Sequence, residues 1–225
     1  MKRKWYLIPA ALVLACVLFA GIVRASYTDT VAGELHTYLF LPGGENWDAV
    51  FQKNGIQSPE DLPAQADVIV KARFDGDRRV RSNAFYSAVS VEEVYRGEKS
   101  LAGTSILVTE SISTFQSTRF LNGAMMPMWV PLHKGAEYVL LLKHVPFAKE
   151  RALNGFQSRQ YFPITNTPAG CYLLEHGKRT GVVAKPDCTT DDLAGYAFYT
   201  QDPQQADAYY AIKEAVFKKL GLSDS

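Results

Sequence analysis

Behind a charged start of Lys2, Arg3 and Lys4, the chain runs from Trp5 to Val23 without a charged side chain, and this stretch divides the molecule before any folding argument begins. A run this apolar is unfavourable in water, so residues 1–25 read as an export signal or a membrane anchor. A spanning helix needs about 20 apolar residues, because the hydrocarbon core is ~30 Å thick and a helix rises ~1.5 Å per residue. Residues 5–23 meet that length. The positive-inside rule then keeps the basic cluster in the cytoplasm and sends everything after Arg24 outward. Two fates stay open: a single-pass protein of the cell membrane with its C-terminal domain outside, or a secreted one. Val23, Arg24 and Ala25 form a small-x-small pattern before Ser26, which signal peptidase accepts. Val13, Leu14, Ala15 and Cys16 resemble a lipobox, but the apolar run continues to Val23, where a lipoprotein turns polar. A thiol inside an apolar helix is the simpler reading of Cys16.

The whole chain carries 24 Lys and Arg against 23 Asp and Glu. Four of the basic residues (Lys2, Arg3, Lys4, Arg24) belong to the leading segment, so the remainder is slightly acidic, about −3, and offers no basic face to a nucleic acid. Setting Cys16 aside leaves Cys171 and Cys188, which an export route places where disulfides form. One bridge is expected; closing an ~18-residue loop, it is worth roughly 3 kcal/mol in the chain-entropy model. A zinc site from these thiols and His176 is the alternative, without CxxC or HxxxH spacing behind it.

Residues 26–65 read as a linker with short helices, one capped by Asn46 over Trp47 to Gln52, another starting at Ser58, Pro59, Glu60 and Asp61. Residues 66–225 then read as an extracytoplasmic, mainly β domain. Strands are expected at Val68 to Phe74, closed by a turn at Asp75, Gly76 and Asp77, at Phe85 to Tyr95, at Thr104 to Glu110, and at Tyr138 to Leu142, whose unbroken apolar run implies burial on both faces. In the second strand Phe85, Ser87, Val89 and Val91 share a face, and Val94 then falls on the wrong parity; a β-bulge at Glu92 and Glu93 restores the pattern. Cys171 to Leu174 and Thr180 to Val183 make a hairpin. The chain closes on a helix over 202–221, in which Asp202 caps, Pro203 takes the first turn, Gln205 completes a capping box, and Tyr209, Ile212, Val216 and Leu220 form an apolar stripe before Gly221.

Ala66 to Val70, Val89 to Gly97, Ile106 to Val108 and Gly135 to Leu142 together resemble an exported bacterial group whose barrel is similar to the oligonucleotide/oligosaccharide-binding (OB) fold. The same barrel with terminal helices occurs in netrin-like domains and in tissue inhibitors of metalloproteinases. The resemblance covers about residues 66 to 183 and implies an α+β fold, a small barrel flanked by helices. Inhibition of a metalloproteinase does not carry over, because that mechanism uses an N-terminal Cys and cleavage here exposes Ser26.

No residue pattern points to catalysis or to a cofactor. Ser111, Ser113 and Ser117 follow a strand without a GxSxG frame, and His36, His133, His144 and His176 lack HExxH or any short metal spacing. Asp75 and Asp77 flank a glycine, but the later ligands of a calcium loop are missing. Glu92 and Glu93 are adjacent on a strand and point to opposite faces unless a bulge brings them together. The segment from Phe120 to Leu132 is different: Met125, Met126, Met128 and Trp129, broken by Pro127, form an adaptable apolar stretch that either contacts a partner or packs over the open end of the barrel. Tyr161 and Phe162 extend it into an aromatic shelf for sugar or peptide. The sequence reading is therefore a non-catalytic binding module of the cell envelope, with an envelope protein or polysaccharide as partner. An envelope hydrolase and a protease-inhibitor-like module are the alternatives.

Overall fold

The computed structural model describes residues 7–26, 39–42, 46–81, 84–115, 123–126, 128–146, 152–175, 180–181, 188–189, 192–193 and 195–223. The chain divides into two units, Met1–Val31 and Ala32–Ser225.

The first unit contains helix α1, Leu7–Ser26, whose large side chains, among them Ile8, Leu12, Phe19 and Ile22, are exposed. Among the described residues no helix is long and apolar enough to cross a membrane, so the expected span through residues 5–23 is corrected to an exposed apolar helix.

The second unit is built on one eight-stranded sheet. Its strands are β1 (Leu39–Pro42), β2 (Val68–Arg81), β3 (Ala84–Arg96), β4 (Ser105–Phe115), β5 (Gly123–Met126), β6 (Glu137–His144), β7 (Gln160–Pro163) and β8 (Cys171–Leu173). Strands β2, β3 and β4 form an antiparallel meander, β6 pairs β2 and β7 pairs β6. A parallel pairing of β4 with β7, Leu107 opposite Gln160 and Val108 opposite Tyr161, then closes five strands into a small barrel that is OB-like at the level of the fold. Closure removes the open edges that a five-stranded sheet would otherwise present. Strands β5 and β1 continue the sheet beyond β4, and β8 pairs β6.

Two apolar layers follow from the alternation along these strands. Phe85, Val89 and Val91 of β3, with Val70, Val108 and Leu140, fill the barrel. Ile69, Val139 and Leu141 point the other way and are buried by helices. That is why Tyr138 to Leu142 reads as an unbroken apolar run: both of its faces are covered. The Glu92–Glu93 bulge is present, since Lys71 pairs Glu93 while the next residue, Ala72, pairs Val91. A second irregularity replaces the expected turn at Asp75, Gly76 and Asp77. There β2 continues to Arg81, and its register steps from Phe74 opposite Val89 to Arg78 opposite Ser87. Gly76 sits in the bulge at φ 98°, where a Cβ would come within 2.9 Å of the Lys134 side chain.

Residues 46–65, expected to belong to a linker with short helices, are part of the helical layer together with Ala66. Helix α2 (Trp47–Asn54) is capped by Asn46, whose side chain accepts from Ala49 N, and ends on Gly55 in the left-handed region. Ser58 and Asp61 form a capping box before a short 3-10 turn and helix α3 (Leu62–Gln65). Trp47, Ile56, Leu62 and Ala66 pack with Tyr209, Ile212 and Val216 of helix α4, Pro203–Leu220. Asp202 caps α4 as expected, but Gln205 does not close a capping box: its Oε1 accepts the backbone N–H of Trp47 at 3.2 Å, while the Trp47 indole donates to the Gln205 carbonyl at 2.8 Å. That reciprocal pair ties α2 to α4.

The expected bridge between Cys171 and Cys188 is absent: both thiols are buried in the barrel core and no disulfide joins them. Cys171 opens β8 as expected, whereas the returning strand of the expected hairpin is missing at Thr180 and Gly181, and 182–187 lie outside the described residues.

Candidate functional site

The residues singled out around Met128 go inward. Met128 (2 % exposed) lies in the helical layer and Trp129 (1 %) inside the barrel. Of Met125 and Met126 only the backbone is described, paired in β5 with Ser113 of β4 and with β1. Residues 128–132 therefore plug the barrel, and of the two readings of this stretch Met128 and Trp129 follow the packing one, as core side chains that offer no partner contact. The physical reason is a polar anchor that periodicity does not reveal. The Glu110 side chain is wholly buried; its Oε1 accepts from Arg78 Nε at 2.7 Å and from the Ser87 hydroxyl, and its Oε2 accepts from the Leu132 amide at 2.8 Å and from the Trp129 indole at 3.2 Å. Arg78 also donates to the Leu132 carbonyl at 2.6 Å and stacks over Phe74. A buried carboxylate is tolerable only when charge and lone pairs are met, and here they are. Met128, at the entrance to the plug, holds φ 56°, uncommon for a residue with a Cβ, and its carbonyl accepts from Tyr199 N at 3.1 Å.

Tyr161 is also interior, 4 % exposed, its ring 4.7 Å from that of His144. Burial raises the Tyr161 phenol pKa. Phe162, the next residue along β7, points outward beside Lys143 and is half-buried. The proposed aromatic shelf thus splits, because adjacent strand residues face opposite sides.

Phe162 lies on the outer face of the barrel at β7, beside β4. On this wall Arg79, Tyr86 and Thr109 stand in one row across β2, β3 and β4. Gln160 of β7 donates to Thr109 Oγ1 at 3.2 Å. Phe156, from the β6–β7 connection, meets Tyr86 edge-on with centroids 5.3 Å apart. The turn that carries Phe156 is held locally: Asn154 Oδ1 accepts the amides of Phe156 and Gln157 at 3.1 and 2.9 Å. Arg79 is largely exposed, with Asp77 at 3.2 Å. The wall therefore offers an aromatic surface, a hydroxyl, an amide and a guanidinium within one patch. The signal for it was in the alternation: Tyr86, Ala88 and Ser90 have the parity opposite to the buried Phe85, Ser87 and Val89.

Ser111 adjoins this wall, and its Oγ donates to Asn166 Oδ1 at 2.8 Å, a neutral amide in place of the base a nucleophile needs. Asn166 and Thr165 both hold positive φ, 55° and 60°. Ser113 is described as backbone only, and Ser117, His36 and His176 lie outside the described residues. His133 Nε2 lies 3.2 Å from the Tyr196 carbonyl; burial lowers its pKa, against the rise that this hydrogen bond brings. No group of three metal-ligating side chains occurs among the described residues. Glu92 and Glu93 both reach solvent because of the bulge; Glu92 pairs with Arg73 and with Lys71, the latter at 3.3 Å.

Compared with known proteins, the chain matches no family model. No curated protein and no solved structure is significantly similar to it.

Proposed function

We propose that this protein is an exported, non-catalytic binding module of the cell envelope whose working surface is the outer barrel wall around Tyr86, and whose ligand is a polysaccharide. The observation that carries this reading is the pairing of Tyr86 and Phe156 on the outer barrel face, beside Thr109, Gln160 and Arg79. A pyranose ring presents an apolar C–H face that stacks on an aromatic ring and hydroxyls that pair with amide, hydroxyl and guanidinium groups. The basic start and the exposed apolar helix α1 support export and residence at the membrane, with Met1–Val31 and Ala32–Ser225 as separate units.

The test is co-sedimentation of the purified chain with insoluble cell-wall polysaccharide, comparing wild type with Tyr86→Ala and Gln160→Ala. Binding by wild type that falls about tenfold in each variant, with melting temperatures within a few degrees, supports the reading. Equal binding by all three, or none by wild type, removes it.

A further inference from the structure

On the opposite side of the barrel, where the helical layer ends, a cleft of about 270 Å³ lies between the sheet and the turn after α4. Lys71 of β2, Glu93 and Tyr95 of β3, Val139 of β6 and Leu174 line it from the sheet, and Gly221, Leu222 and Ser223 from the chain end. It shares no residue with the wall around Tyr86.

We propose that this cleft binds an aliphatic ammonium group, with Glu93 as its counter-ion and Val139, Leu174 and Leu222 as the bed for the alkyl stem. The charge arrangement makes the choice between ligand classes. Lys71 is engaged by Glu137 at 2.8 Å and Glu92 at 3.3 Å, and Arg73 by Glu92 and by Glu137 at 3.1 Å. Two cations and two carboxylates thus neutralise one another, leaving Glu93 with no ion pair among the described residues. An incoming anion would meet Glu93 and a Lys71 that already has two partners; an incoming cation meets a carboxylate whose hydrogen-bond partner is the neutral Tyr95 phenol.

Two further features act in the same direction. Tyr95 lines the cleft beside Glu93 and its phenol hydrogen-bonds to that carboxylate. Its phenol pKa is raised, first by burial and then by the Glu93 charge, so the phenol stays neutral and adds no second negative charge. The carbonyl end of the 18-residue helix α4 also ends here: Gly221, at φ 69°, closes the helix, and its last turn presents the negative end of the helix dipole. Lys218 and Lys219 of that turn oppose this, but neither lines the cleft. The volume suits a short alkylamine or the end of a lysine side chain, and lies just below the ~300–1,000 Å³ of drug-sized pockets.

The experiment is a titration of the full-length protein, followed by NMR shifts of the Tyr95, Leu174 and Leu222 amides, with 1-aminopentane, with an acetyl-lysine-methylamide that keeps its free ε-ammonium, and with pentanoate. Saturable shifts with either amine and none with pentanoate are expected, and the tighter amine distinguishes a free amine from a peptide side chain. Glu93 is exposed, so Glu93→Gln folds as wild type and weakens amine binding about tenfold; Glu93→Lys abolishes it. No saturable shift with either amine, equal shifts with pentanoate, or unchanged affinity in Glu93→Gln overturns the proposal. Because the Tyr86 wall is untouched by these variants, failure here leaves polysaccharide binding to be judged by its own test.

Discussion

The Trp129 indole donates to Glu110 Oε2, 3.2 Å away inside the barrel, and through that contact a loop residue becomes core. The same carboxylate holds Arg78 of β2 and the Leu132 amide, so one buried charge joins two strands to the plug.

Removing the indole tests how much the plug contributes. Trp129→Ala leaves a cavity in the barrel and removes one of the two donors to Glu110 Oε2, with an expected loss of about 3–5 kcal/mol. Trp129→Phe retains most of the buried area and loses about 1–2 kcal/mol. Urea unfolding monitored by far-UV circular dichroism ranks them; equal loss in both variants would show that the hydrogen bond, not the volume, dominates.

Lys213 of α4 lies 2.8 Å from Glu175 Oε2, both side chains buried, with the Tyr210 hydroxyl on Glu175 Oε1 at 2.9 Å. Lys213→Met removes the cation that faces a buried carboxylate and is expected to destabilise by about 3–5 kcal/mol. The double variant Lys213→Met, Glu175→Leu recovers part of that loss, because the desolvation of both charges disappears together while the Thr180 and Tyr210 donors lose their acceptor. A double-mutant cycle in guanidinium measures the difference; no recovery in the double variant refutes the account.

Acid sensitivity follows from His133. Its folded pKa lies below the ordinary 6.5 because burial disfavours the imidazolium. Between the two values the unfolded chain binds more protons than the folded one, so stability is complete above about pH 6.5 and falls as the pH drops through the depressed value. Each unit of depression corresponds to ~1.4 kcal/mol. Stability curves from pH 7.5 to 5 are expected to slope less in His133→Gln than in wild type.

The cysteines give a covalent readout. Burial pushes the Cys171 thiol well above its usual 9.0, while Cys16 is exposed. Iodoacetamide at pH 8 is expected to label one thiol per folded chain and three after denaturation without reductant. Mass spectrometry showing only one label after denaturation would restore the disulfide.

Local sequence determined the parts whose energetics are local. Asn46 and Asp202 cap helices because a side-chain oxygen reaches an amide two or three residues on, and the Glu92–Glu93 bulge was legible because Val94 broke a period of two. The strands in the stretches 66–110 and 137–142 were readable for the same reason, as was the burial of Tyr138 to Leu142 on both faces. Tertiary structure decided what depended on partners distant in the chain. Strand β7 has four residues and exists through its pairing with β4 and β6, and the Trp47–Gln205 link spans 158 positions. The burial of Met128 and Trp129 required Glu110 and Arg78 to meet inside the barrel, a long-range electrostatic fact with no signature in hydrophobic periodicity. The wall around Tyr86 lay between these cases: alternation placed Tyr86 on the face away from the core, but only barrel closure set Gln160 beside Thr109.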